Sequence, residues 1–324
     1  MNPPRRFLAS CGLLLLSSIS CTPTPAAAPH VTPAETPAKQ SCADESAAEE
    51  LVSKGEQVEG LDPDQALVFY EQAAALAPKN ARIQYRIGTV YKKKEDWDKA
   101  AASYGRAANL DPSFANHWFW YGYSLEQLAK RDRKGWEDAR KALEKCIEID
   151  ANHAECHYRL GNAFLYLDDE RKALESYTKA IQIEPTKIDR YAGLADLYLR
   201  LDFVNEAEVV LKQAKQFAKP GERALFNVHI LLGDIQRTRG AEAESISEFE
   251  AAKVVAAGEG PEATMILFIL GSSYATSNPP RRAEAVANLK AFAQRACKGQ
   301  KARLFETECV QSNMIITKMG GAQP

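Results

Sequence analysis

One spacing constrains this 324-residue chain more than any other. Gly88 and Gly122 stand 34 residues apart, and so do Gly161 and Ala195. Each small residue follows a large one and precedes another by three: Ile87-Gly88-x2-Tyr91, Tyr121-Gly122-x2-Leu125, Leu160-Gly161-x2-Phe164 and Leu194-Ala195-x2-Tyr198. A fixed period of roughly 20–50 residues marks a stacked-repeat architecture. A unit that short cannot bury its apolar face alone and must lay it against a neighbour.

A second pattern follows each of these: Ala100-x3-Tyr104, Ala139-x3-Leu143, Ala173-x3-Tyr177 and Ala207-x3-Leu211. Pro112 and Pro185 then stop the helix, since proline cannot donate into the helical ladder. Both patterns return at Leu232-Gly233-x2-Gln236 with Ser245-x3-Phe249, and at Leu270-Gly271-x2-Tyr274 with Ala285-x3-Leu289. Ala66-x3-Tyr70 and Pro78 mark a first unit whose opening helix is degenerate. The interval from Gly122 to Gly161 is 39 residues, and its surplus around Lys130–Gly135 is expected as loop growth between two helices. The later surpluses fall near Pro220-Gly221 and Gly258–Pro261.

These residues resemble the tetratricopeptide-repeat (TPR) signature, W-x2-L-G-x2-Y, then A-x3-F, then P. The resemblance covers roughly residues 47–297. It implies an all-α TPR α-solenoid of about seven helix-turn-helix repeats over residues 46–297, closed by a capping helix and tail over 298–324. Lys298–Met319 is expected as one amphipathic helix with Phe305, Cys309, Met314 and Ile315 at helical spacing, ended by Gly320 and Gly321.

The resemblance also implies a function, which is to bind protein. The first helix of each TPR hairpin lines a concave groove. The residues after the Trp place and after the Gly place lie four apart and so share a face. On that rule, with their neighbours, the candidate groove is Tyr85, Arg86, Phe119, Tyr123, Tyr158, Arg159, Asn162, Tyr166, Asp196 and Asp234. Exposed aromatics with a polar rim suit a protein partner; the alternative is that some of these rings pack between helices. The Lys-Asn carboxylate clamp of TPR cochaperones is not matched: Asn162 is present, but the lysine places hold Tyr158 and Ala192.

The N-terminus reads as an export signal over residues 1–20. Arg5 and Arg6 precede the 13-residue apolar run Phe7–Ile19, which is shorter than the ~20 residues that span a bilayer. Ser18-Ile19-Ser20-Cys21 resembles a bacterial lipobox, with Cys21 as the acylated residue, although Ser18 stands where leucine is usual. Ala26-Ala27-Ala28 is the competing cleavage site. Residues 21–45, with Pro23, Pro25, Pro29, Pro33 and Pro37 near their start, are expected as an extended tether. The expectation is an outer-membrane lipoprotein facing the periplasm, touching the membrane through its lipid alone; the alternative is a soluble periplasmic protein. Lipid plus repeats also resembles the pilotin lipoproteins that help assemble type IV pilus secretins.

Lysine plus arginine number 41 and aspartate plus glutamate 43, for a formal net charge of −2. That balance offers no basic surface for nucleic acid. No phosphate-cradling glycine loop, H-E-x-x-H or G-x-S-x-G occurs, so no enzyme activity and no cofactor are expected. His153, Glu155, Cys156 and His157 crowd together, but His157 takes the Trp place of its repeat and His153 the preceding turn, so no metal is expected. In an exported chain Cys297 and Cys309, or Cys146 and Cys156, could pair; each is otherwise a small buried residue.

Overall fold

The computed structural model describes residues 37–132, 134–258 and 260–320. These residues are all-α, as the repeat pattern requires. They fall into two compact units, divided between Ile83 and Gln84.

The first unit holds α1 (Pro37–Val58), α2 (Pro63–Leu76) and the first residues of α3 (Ala81–Lys93). Asp62 caps α2 by accepting the Gln65 backbone N–H at 2.9 Å, with Pro63 opening the helix. α1 starts at Pro37 and so takes the last residues of the expected tether into the helix. Ala43, Ala47 and Ala48 favour helix there, and Ala48 and Val52 are buried. Cys21 and residues 21–36 lie outside the described residues.

The second unit continues in antiparallel pairs: α4 (Trp97–Leu110); α5 (Ala115–Asp132) with α6 (Trp136–Ile149); α7 (Ala154–Tyr166) with α8 (Glu170–Ile183); α9 (Asp189–Arg200) with α10 (Val204–Phe217); α11 (Leu225–Thr238) with α12 (Glu242–Val255); and α13 (Pro261–Thr276) with α14 (Arg282–Ala296). Each pair also packs on the next, which is the α-solenoid principle. A short 3-10 turn (Gly299–Arg303) and α15 (Glu306–Lys318) close the array.

The repeat glycines permit the close approach of paired helices. A Cβ added to Gly161 would stand 2.6 Å from Cδ1 of Tyr177, and one added to Gly88 would stand 2.8 Å from Tyr104. Leu143 plays the same part over Gly122, and Leu289 over Gly271. The tyrosine hydroxyls then find partners at the edge of the core: Tyr104 on Thr89 at 3.2 Å, Tyr177 on Asn162 at 2.7 Å. The Trp place has its own polar task. Trp118, His157 and Tyr191 each bond the carbonyl six residues earlier, of Pro112, Ala151 and Pro185, pinning the turn before the helix.

The turn inside four of the hairpins, α3/α4, α7/α8, α9/α10 and α11/α12, repeats as well. Glu95, Asp168, Asp202 and Gly240, each seven residues after the small-residue place, all take positive φ, at 57°, 57°, 63° and 75°. Only the last of these is the glycine that conformation favours.

Two expectations need correction. The surplus near Lys130 is not loop. It lengthens α5 to 18 residues, against 13 in α3 and α7, because Leu125 and Ala129 continue its apolar stripe and Trp136 folds back onto Ala129 and Ala163. The cap is not one helix from Lys298, since Gly299 turns left-handed (φ 62°) and α15 starts only at Glu306. Its buried face is Cys309, Ser312 and Ile316, while Met314 is exposed. Among the described residues no helix is long and apolar enough to cross a membrane.

Candidate functional site

An open cleft of about 470 Å³ lies in the second unit, lined by Lys92 of α3, Trp97 of α4, Phe119, Trp120 and Tyr123 of α5, and Glu155 and Arg159 of α7. One-turn spacing puts Phe119 with Tyr123, and Glu155 with Arg159, on a single face of each helix. The rings form a continuous set. Trp97 meets Tyr123 edge-on at 5.7 Å, Trp120 meets Tyr123 at 5.6 Å, and Phe119 meets Trp120 at 4.7 Å. Both cations lie on this aromatic surface: Lys92 Nζ is 3.7 Å from the Trp120 ring centre, and the Arg159 guanidinium 4.7 Å from that of Tyr123.

Beneath the rings Arg159 is held from two sides. Its Nε donates to Glu155 at 2.9 Å and its Nη1 reaches Glu126 at 3.4 Å. Burial opposes its charge, but Glu126 and Glu155 outweigh that and hold its pKa above the usual arginine value. Glu126 is wholly buried. Its Oε1 also accepts Lys130 at 2.7 Å and Asn162 at 3.0 Å, and its Oε2 is unpartnered among the described residues.

A second depression of about 410 Å³ is lined by residues that include Lys130, Asn162, Tyr166, Asp196 and Arg200. Tyr166 presents an exposed ring there, stacked on Trp136 at 4.0 Å. Lys130 and Asn162 of this depression and Arg159 of the first all meet on Glu126, which couples the two.

The expected groove residues therefore divide. Phe119, Tyr123 and Arg159 line the aromatic cleft, Phe119 as its nearly buried floor against His153 at 5.1 Å. Asn162, Tyr166 and Asp196 line the second depression, with both ends of the Asn162 amide already bonded. The other four line neither. Tyr85 packs on Tyr104 and His117, at 5.5 and 5.6 Å. Arg86, the next residue on α3, is half-buried. Tyr158 lies on Tyr177 at 5.4 Å and against Gly193, and burial raises its pKa. Asp234 pairs with Arg237 at 2.7 Å, and burial lifts its pKa despite that partner.

Sequence reasoning passed over Trp97, Trp120 and Glu126; it read Lys92 only as positive charge at the N-terminal end of the groove, and weighed Glu155 only with the histidine cluster. Trp120 comes two residues after the Trp place, and Trp97 opens the second helix of its hairpin behind the Asp96 cap. The clustering of Trp97, Trp118 and Trp120 among only four tryptophans was the available signal.

The histidine cluster is committed to the fold. His153 Nδ1 accepts the Cys156 N–H at 3.2 Å, and its Nε2 bonds Asn116 Oδ1 at 3.1 Å. Cys146 is bonded to Cys156, so this Cys-His-Cys grouping presents no thiolate to an ion. Cys297 is likewise bonded to Cys309, tying α14 to α15.

Comparison with known proteins gives the repeats their name. Tetratricopeptide-repeat models match residues 59–118 and 154–187, so the chain carries TPR repeats. It is 24% identical over 181 residues to protein O-mannosyl-transferase TMTC3 of Homo sapiens, a match covering 52% of this chain and 20% of that protein. The solved structure of pilF from Pseudomonas aeruginosa is 17% identical, covers 69% of this chain and 97% of its own, and superposes with a TM-score of 0.53. A tetratricopeptide repeat protein from Parabacteroides merdae, at 17% identity, covers 73% and 93% with a TM-score of 0.50. At these identities the likeness to solved structures is one of fold.

Proposed function

We propose that this tandem TPR array is a scaffold or adaptor of the bacterial cell envelope that holds a protein partner in the aromatic cleft between α3, α5 and α7, and that it carries out no chemistry of its own. The observation that carries the reading is the cleft itself. It joins four aromatic rings to two cations in an open depression, the composition that protein interfaces use for their anchors.

The envelope setting rests on the sequence. Cys21 at the end of the apolar run is read as the lipidation site, in an outer-membrane lipoprotein facing the periplasm. Two disulfides, Cys146–Cys156 and Cys297–Cys309, accord with an oxidising compartment. The narrower role, assisting assembly of an envelope complex as pilotin lipoproteins do, is an analogy of architecture. Ala26-Ala27-Ala28 favours the second reading, a soluble periplasmic adaptor.

Fractionation and intact-mass measurement of the mature chain separate the two. An acylated N-terminus at Cys21, with loss of membrane association in Cys21→Ala, is the expected result. A mature chain that starts near Pro29, or membrane association unchanged in Cys21→Ala, rejects the lipoprotein.

A further inference from the structure

The capping helix has an outer face as ordered as its inner one. Towards the core, α15 buries Cys309, Ser312 and Ile316, with Cys309 set among Leu267, Phe292 and Ala296. Towards solvent, Glu306, Val310, Met314 and Lys318 follow one another at intervals of four and form one stripe along the helix. Val310 is 56% exposed and Met314 66%, and both line a shallow apolar depression on this face. A capping helix is expected to turn a polar surface to water. This one runs acid, apolar, apolar, base. Neither Glu306 nor Lys318 has an ion-pair partner among the described residues.

That order is its own complement when reversed. A two-fold axis at the level of Ser312 sets Glu306 opposite Lys318 of a second copy and Val310 opposite Met314, each contact occurring twice. Parallel pairing would instead set Glu306 on Glu306 and Lys318 on Lys318. We propose that α15 is a self-association surface, and that its occupant is α15 of a second copy of this chain, packed antiparallel about that axis.

A 13-residue helix is only about 20 Å long, so one helix pair buries well under the ~800 Å² per partner of a standard interface. The dimer is accordingly weak and concentration-dependent. It does not depend on the aromatic cleft or on the lipid.

The test is sedimentation velocity on the exported chain carrying Cys21→Ser, which removes any association through acyl chains. Wild-type α15 is expected to show a monomer–dimer equilibrium on the order of 100 µM. Met314→Glu, at an exposed site, weakens it about tenfold or more while leaving the helical circular dichroism unchanged. Glu306→Lys and Lys318→Glu each weaken it as single changes, and the double variant recovers the wild-type equilibrium to within about threefold. A chain monomeric up to about 1 mM, a dimer indifferent to Met314→Glu, or a double variant no better than the singles would each overturn the proposal.

Discussion

Arg159 of α7 reaches down to Glu126 of α5 at 3.4 Å, and the carboxylate it meets has no contact with solvent. The same guanidinium lies 4.7 Å from the centre of the Tyr123 ring, one turn earlier on α5. A buried charge thus sets the position of a side chain in the cleft. Burial of that carboxylate is tolerable because three donors converge on Oε1.

Truncating the carboxylate leaves those donors without their acceptor. Glu126→Ala is expected to cost about 2 kcal/mol or more in urea unfolding. Glu126→Gln keeps an acceptor oxygen at the same place and costs about half as much. Equal losses for the two variants would show that the charge, and not the hydrogen bonding, holds the site.

Gly161→Ala should destabilise the chain by about 1–3 kcal/mol although alanine is the better helix former, because its Cβ meets the Tyr177 ring at 2.6 Å. Gly60, with nothing within 4 Å of an added Cβ, is the control, and Gly60→Ala should be neutral or better. Thermal melts of the two variants make the comparison.

The hairpins were legible because their packing is written as spacing. Gly161 and Tyr177 are 16 residues apart, as are Gly88 and Tyr104, and Gly233 and Phe249. Gly55 likewise lies under a ring, that of Tyr70 within the first unit, but 15 residues away rather than 16. It escaped notice because Lys54 and Val58 replace the large residues that normally flank it. The cleft was only half legible. The register rule names residues facing one side of a helix, but a ring on that side can drop into the seam to its neighbour, as Tyr158 does onto Tyr177, or rise from it, as Trp120 does. Trp97 comes from the partner helix, which the rule does not address. Glu126 gave no signal, since a lone glutamate in a helix reads as solvated until Arg159 and Asn162 are brought over it.

The left-handed residue shared by four of the hairpin turns predicts a stabilising change. Glu95 holds a φ of 57° that costs a side-chain-bearing residue about 1–2 kcal/mol, less what glycine loses in the unfolded chain. Glu95→Gly should therefore raise stability by about 0.5–1 kcal/mol, as Gly240 already does at the equivalent place. A higher urea midpoint at unchanged slope is the expected signature; a lower one would contradict it.

Acid sensitivity should trace in part to Glu208. Hydrogen bonds from Lys212 and Arg239 hold its carboxyl near pKa about 2, below its ordinary 4.5. A depressed carboxyl contributes fully above its unfolded value and loses that contribution as pH falls through the folded one. Stability should accordingly decline as pH drops from about 4.5 towards 2, and Glu208→Gln should flatten that decline. Urea midpoints taken across this range decide it, and identical slopes for the two proteins would contradict the assignment.

The account turns on the aromatic cleft being where a protein partner sits, and site-specific photocrosslinking in intact envelopes asks this most directly. A benzophenone side chain is placed at Tyr123 in the cleft and, separately, at Val209 and Val254, which are exposed on the second helices of their hairpins at 66% and 73%. The account predicts a discrete adduct from position 123 and none from 209 or 254. Adducts from 209 or 254 with none from 123, or no adduct from any position, would contradict it.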